Sequence, residues 1–449
     1  MTEQATQGKE LRLRQIFKMW WPLAMSWLMM TIQSPLLAAV MARMPESRLN
    51  LAAYGGVVQP IRSLLMSPGT MLLAASTALC KDWATYQKIY RFMMLMSAGL
   101  TVLLALVAFT PLYGLVVEGI LHTPAELHQL ARWGLMLSIP IGWGVAYRRF
   151  QQGVLIRNGY SGIIMFGTVI RLTGFAVVML IGYLVQSIPG TAVEAVAMVV
   201  GVWAEAIYAG IRVQPVLRNR VKTAPPAEPL TWRAFFGFYI PLIFTSLLNM
   251  VWSPVSSAGI NRMPRAVDSL AVLPVINGLT NVFRSFGLGL NEVVVTLLGR
   301  AGGPQKLRRF SLYVALATTA MFLLLTLTPL ADLWFRQVSA LSPDLAELAR
   351  SAILIAAPLP ALSVLRSWSQ GTLLFGRRTR GISEAILVSL VTLITVLWAG
   401  VTWGQVPGIY VGVAGLMAAN LSQALWLLFR SHRVTDRLEE KALEKASIS

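Results

Sequence analysis

Long apolar runs separated by short polar connections recur from Trp20 to Arg430, and each is long enough to be a membrane helix. Crossing about 30 Å of hydrocarbon takes roughly 20 apolar residues. Six runs fall at approximately 19–42, 51–79, 89–116, 130–156, 162–184 and 190–216. Six more fall at approximately 234–261, 269–298, 307–334, 347–374, 382–402 and 408–430. The pattern predicts an all-α polytopic membrane protein of about twelve transmembrane helices. The first run is too long for the apolar part of a signal peptide and reads as a retained span. Between the two sets lies a stretch with Arg218, Arg220, Lys222, Pro225, Pro226 and Pro229, which cannot continue a membrane helix. The expected division is a cytoplasmic segment 1–18, a six-helix bundle 19–217, a cytoplasmic linker 218–230, a second bundle 231–430 and a cytoplasmic tail 431–449.

The two sets are copies. Pro22-Leu23, Ser34-Pro35, Arg43-Met44-Pro45 and Leu51-Ala52 return as Pro241-Leu242, Ser253-Pro254, Arg262-Met263-Pro264 and Leu270-Ala271, all 219 residues later. With a one-residue slip, Pro140, Arg148 and Gln152-Gly153 return as Pro358, Arg366 and Gln370-Gly371, 218 residues later. A register held over about 130 residues indicates an internal duplication. Two copies of six spans start from the same side, so a pseudo-two-fold axis along the membrane normal and a cleft between halves are expected. Pro35, Pro254, Pro140 and Pro358 are expected to kink their helices and free carbonyls for other partners.

Composition agrees with this reading and removes other classes. Of 449 residues, 56% are hydrophobic and 13% charged, and mean hydropathy is +0.63, outside the range of soluble domains. The net charge of +19 reflects placement: about 27 of the 38 Lys and Arg fall in tails and loops on one side. That is the positive-inside distribution, which puts both termini in the cytoplasm and makes nucleic acid an unneeded partner. The basic face, with Arg308, Arg309, Arg377, Arg378 and Arg380, suits anionic lipid headgroups. One cysteine, Cys80, and three histidines leave no metal-ligand cluster. There is no phosphate-cradling glycine loop followed by Lys-Ser/Thr, so neither enzyme nor cofactor chemistry is expected.

Candidate chemistry lies in the polar groups at membrane depth. Arg62, Arg171, Arg284 and Arg366 fall within predicted spans, where each costs about 2.5–3.5 kcal/mol unless it meets a partner or a wet cavity. The acids are fewer: Glu205 and Glu292, with Glu384 at an inner helix edge. A positive balance in a poorly screened space favours anions, and the planar guanidinium fork suits phosphate or carboxylate. Asn277, Asn281 and Arg284 are spaced i, i+4, i+7 and share a helix face. Gln33 and Asn249 flank the duplicated prolines. The expected substrate path is therefore Arg62, Arg284, Gln33, Asn249, Asn277, Asn281 and Arg366, with Glu292 and Glu205 as candidate coupling-ion sites. The alternative for Arg62 and Arg284 is structural pairing with Glu292 or with helix carbonyls.

Twelve spans in two repeats, the Gln-Gly pair after the fourth span of each, and the closing Gly408-Ile409-Tyr410-Val411-Gly412-Val413-Ala414-Gly415 resemble the MATE-like multidrug/oligosaccharidyl-lipid/polysaccharide (MOP) exporter superfamily. Within it, Leu51-Ala52-Ala53-Tyr54-Gly55 followed by Arg62 resembles the progressive ankylosis (ANK) transporter family, and the span ending in Glu292 resembles that family's acid-bearing helix. The resemblance implies alternating access between two bundles and export of a small organic or phosphorylated anion, with Arg62 and Arg284 as its ligands. Protons or sodium are the implied coupling ions. Flipping of a lipid-linked anionic saccharide is the close rival. Drug/cation antiport fits less well, because the first span offers Gln33 where drug-extruding members usually carry an acid. A monomer in a bacterial inner membrane is expected.

Overall fold

The computed structural model describes residues 11–160, 162–225, 228–300, 302–376 and 380–448. Pro226, Arg377 and Arg378, assigned above to the inner side, lie outside the described residues, as do residues 1–10 of the expected cytoplasmic segment. Among the described residues the regular structure is helical, without strands. Among the described residues, ten helical segments are long and apolar enough to span a membrane, from Leu13–Met41 to Gly408–His432. The two other expected spans, 51–79 and 130–156, are also helical over most of their length but interrupted. They carry Gln59, Arg62 and Ser67 in one and Arg148, Arg149, Gln151 and Gln152 in the other, too many polar groups to count as apolar crossings. Along the apolar helices, side chains such as Leu95 (75% exposed) and Leu184 (70% exposed) face outward. In water such a surface would be a liability, and in lipid it is the ordinary exterior. This is an integral, multi-pass membrane protein.

The duplication reappears in backbone detail. Glu46 and Arg265 adopt left-handed φ of 49° and 54° at matching positions, each starting the helix after an Arg-Met-Pro turn. His122 and Ala340 do the same, as do Gln186 and Gly404. Helix breaks match too. Turns at Ile32 and Val251 each precede a duplicated proline, Pro35 and Pro254, by three residues. Pro140 and Pro358 sit immediately before the helices Ile141–Arg157 and Leu359–Phe375. A proline ring excludes the carbonyl four residues back, which accounts for the break ahead of each. Close helix approach is likewise duplicated. A Cβ at Gly153 would lie 2.5 Å from the Leu73 carbonyl, and one at Gly371 would lie 3.0 Å from the Asn291 carbonyl. In a bilayer, where lipid is as apolar as leucine, such small-residue contacts are a main source of helix association.

The chain folds into two compact units that are not the two sequence halves. One gathers Val40–Arg262 with Ala266–Ala271, and the other gathers the chain up to Ala39, Met263–Arg265 and Val272–Ser449. Each repeat's first helix thus packs with the later helices of the other repeat, a departure from the expected bundles 19–217 and 231–430. In the first unit, Tyr239 donates to the Pro68 carbonyl (2.7 Å), and Phe235 and Tyr239 pack on Phe92. Around them lie Leu72, Phe150 and Val213. In the second unit, the Trp20 indole donates to the Phe286 carbonyl (3.0 Å), and Gly289 lets the Leu23–Ala24 backbone approach. Ile16, Val293, Val364 and Trp368 complete that core. Apolar periodicity shows which face of a helix is buried but not what buries it, so the exchange has no signature in the hydrophobic pattern.

Candidate functional site

In the first unit the buried arginines meet carboxylates. Arg62, on helix Gln59–Thr70, donates Nη1 to Glu194 Oε2 (3.0 Å) and Nη2 to Oε1 (2.6 Å). Both are buried, Glu194 completely, and the guanidinium also lies over the Tyr54 ring at 5.9 Å. This is a fork-on-fork pair, the strongest geometry available to the two groups. Arg62 therefore has an anion supplied by the protein, the structural pairing that was the alternative to a place on the substrate path. Its partner is Glu194 and not Glu292 or a helix carbonyl.

A second polar cluster of this unit surrounds Glu205 on helix Gly190–Val216. Its carboxylate accepts from Arg148 Nη1 and from Gln152 Nε2 (2.8 Å), and Arg171 Nε lies 3.2 Å away. Glu205 is buried and its oxygens are engaged by these groups, so it serves as their internal counter-ion. Arg149, beside Arg148, keeps a shielded Nε with no hydrogen-bond partner.

The second unit is different. Arg284, on helix Ala266–Leu288, donates to Asn281 Oδ1 (3.3 Å) and Asn420 Oδ1 (3.2 Å). Arg366, on helix Leu359–Phe375, donates to Gln423 Oε1 (3.3 Å). Asn420 and Gln423 stand one turn apart on helix Gly408–Ile448 and are buried. Each Nε, on Arg284 and on Arg366, is shielded from solvent and has no hydrogen-bond partner. The two cations repel one another. Among the described residues, no carboxylate meets either guanidinium. Thr280 Oγ1, Asn291 Oδ1 and Ser369 Oγ are further shielded polar atoms of this unit without partners. Two charges held only by neutral amides are electrostatically incomplete, since weak amide bonds do not replace the lost hydration of a guanidinium.

Of the residues singled out from the sequence, Asn281, Arg284 and Arg366 come together here. Asn277 is half-buried one turn along the same helix, and Gln33 is buried in the same unit near Pro35. Asn249 belongs to the other unit, is exposed, and donates to the Thr245 carbonyl of its own helix (2.9 Å). Glu292 is exposed on helix Leu290–Leu297 and takes part in no ion pair among the described residues.

No protein-family model matches the chain, and no curated protein does. Solved structures match over nearly its whole length. An inward-facing multidrug resistance MATE family transporter of the MOP superfamily superposes with TM-score 0.73 at 14% identity, covering 92% of this chain and 98% of that one. The fold is MATE-like. The lipid II flippase MurJ, in an inward closed conformation, gives TM-score 0.68 at 11% identity, covering 94% and 90%. A MOP superfamily transporter from Pyrococcus furiosus, described with a binding pocket of reverse polarity, gives 0.61 at 15%, covering 95% and 99%.

Within this MATE-like fold, the residues missed from sequence are the partners. Glu194 was available as a signal. It lies eleven residues before Glu205, about three helical turns, so both acids project from one face of the same helix. Asn420 and Gln423 share the spacing of one turn and the polarity unusual for a closing apolar span.

Proposed function

We propose that the protein is a secondary exporter of the MOP type that moves a small organic or phosphorylated anion by alternating access, with Arg284 and Arg366 as its principal ligands. The observation that carries this reading is the guanidinium pair held by Asn281, Asn420 and Gln423 with no carboxylate in contact. A cationic drug would meet repulsion there, whereas an anion would supply the missing charge-assisted hydrogen bonds. Glu292, exposed and outside any ion pair among the described residues, is the candidate for proton coupling. In this reading the ANK family, through Leu51–Gly55 and the basic residue at Arg62, is the nearest branch. The protein would work in a bacterial inner membrane with both termini cytoplasmic.

A flippase for a lipid-linked anionic saccharide is the second reading, favoured by the likeness to the lipid II flippase over 94% of the chain. A flux screen in proteoliposomes, with and without a pH gradient, separates the readings. Citrate or pyrophosphate is expected to move, more than tenfold faster than through protein carrying Arg284→Ala and Arg366→Ala together. Ethidium flux without anion flux would overturn the anion assignment, and translocation of a fluorescent prenyl-diphosphate sugar alone would favour the flippase.

A further inference from the structure

The duplication permits an internal comparison between the two arginine clusters. Arg148 and Arg366 are repeat mates, 218 residues apart. The same offset carries Glu205 to Gln423. The contact is conserved along with the positions. In one unit Arg148 Nη1 donates to the Glu205 carboxylate, and in the other Arg366 Nη1 donates to Gln423 Oε1, both across a separation of 57 residues. One repeat thus holds a carboxylate where the other holds its neutral isostere. The neighbours change accordingly. Arg149 and Arg171, which crowd Glu205, correspond to Ser367 and Ser389, while Arg284 has no arginine at the matching position, Met66. The first cluster surrounds a built-in anion with three cations. The second sets two cations around a place where the built-in anion is missing.

We propose that Gln423 is the residue that keeps this site open: it stands where Glu205 stands in the other repeat, so that a terminal carboxylate or phosphoryl group of the substrate takes the place of the absent side-chain carboxylate. The inference rests on the anion-exporter reading and narrows it to substrates presenting such a group at one end. The preferred group is compact, tetrahedral or planar, and able to accept from the free Nε of both Arg284 and Arg366. A glutamate at 423 would be a tethered competitor, since an intramolecular carboxylate acts at a high effective concentration.

The test is binding of pyrophosphate, citrate and a short-chain prenyl phosphate to the full-length protein in detergent. It uses calorimetry together with the anion-dependent shift of the thermal midpoint. Gln423→Glu is expected to weaken binding at least tenfold and to raise the midpoint measured without anion, because Arg366 gains a partner. Gln423→Asn, still neutral, is expected to stay within about threefold of wild type. Glu205→Gln, in the other unit, is expected to lower the anion-free midpoint and to enlarge the stabilisation that pyrophosphate gives. Binding by Gln423→Glu equal to wild type, while Arg284→Ala with Arg366→Ala abolishes it, overturns the role of Gln423 and leaves the exporter reading intact. Binding that survives the double arginine substitution overturns both. Binding of the prenyl phosphate but not of the free anions keeps the role of Gln423 and assigns the group to a lipid.

Discussion

Replacing Arg284 by methionine is expected to stabilise the protein while ending transport. A guanidinium near mid-depth of a helix costs about 2.5–3.5 kcal/mol, and the bonds to Asn281 and Asn420, at 3.3 and 3.2 Å to neutral oxygens, recover only part of that. Repulsion from Arg366 adds to the cost. Methionine fills similar volume and removes both terms, so a gain of about 1–3 kcal/mol in unfolding free energy is expected at zero substrate. The measurement is the unfolding midpoint in detergent beside flux in proteoliposomes. A residue retained against stability is the mark of a functional group, and a drop in midpoint on substitution would make Arg284 structural instead.

Arg62→Ala is expected to do the opposite, costing about 3–5 kcal/mol, because it strands the fully buried Glu194 carboxylate without its partner. Adding Glu194→Gln to Arg62→Ala removes the stranded charge and should recover a large part of the loss. Monodisperse yield after extraction and the unfolding midpoint report both changes. If Arg62→Ala were as stable as wild type yet inactive in flux, the arginine would be a ligand and the pair with Glu194 incidental. The two substitutions therefore separate by sign, although both remove a membrane-depth arginine from mirrored stretches of the sequence.

That contrast separates what the sequence displays from what only the fold brings together. The helices and their duplication were legible because spans in lipid must satisfy their own backbone bonds, leaving apolar length as a strong signal. The register was legible because the Arg43-Met44-Pro45 turn returns as Arg262-Met263-Pro264, and in both copies the next residue, Glu46 or Arg265, has a left-handed backbone. The face carrying Asn281 and Arg284 was legible from helical spacing alone. Partnership was not. Whether a buried arginine is neutralised depends on one residue more than a hundred positions away, Glu194 for Arg62 and Asn420 for Arg284. Similarly, the exchange of first helices leaves each helix as apolar as before. Glu205 shows the same limit, since its burial was legible and its engagement by Arg148, Gln152 and Arg171 was not.

Tungstate, a strongly scattering analogue of phosphate, offers the most direct test of an anion site at Arg284 and Arg366 in the second unit. Anomalous diffraction from tungstate-soaked crystals is expected to give its strongest peak within hydrogen-bond distance of both Arg284 and Arg366, near Gln423, and to lose that peak in Arg366→Ala. A strongest peak at Arg62, or density only on the basic loops with the Arg284–Arg366 pair unoccupied, would contradict the account.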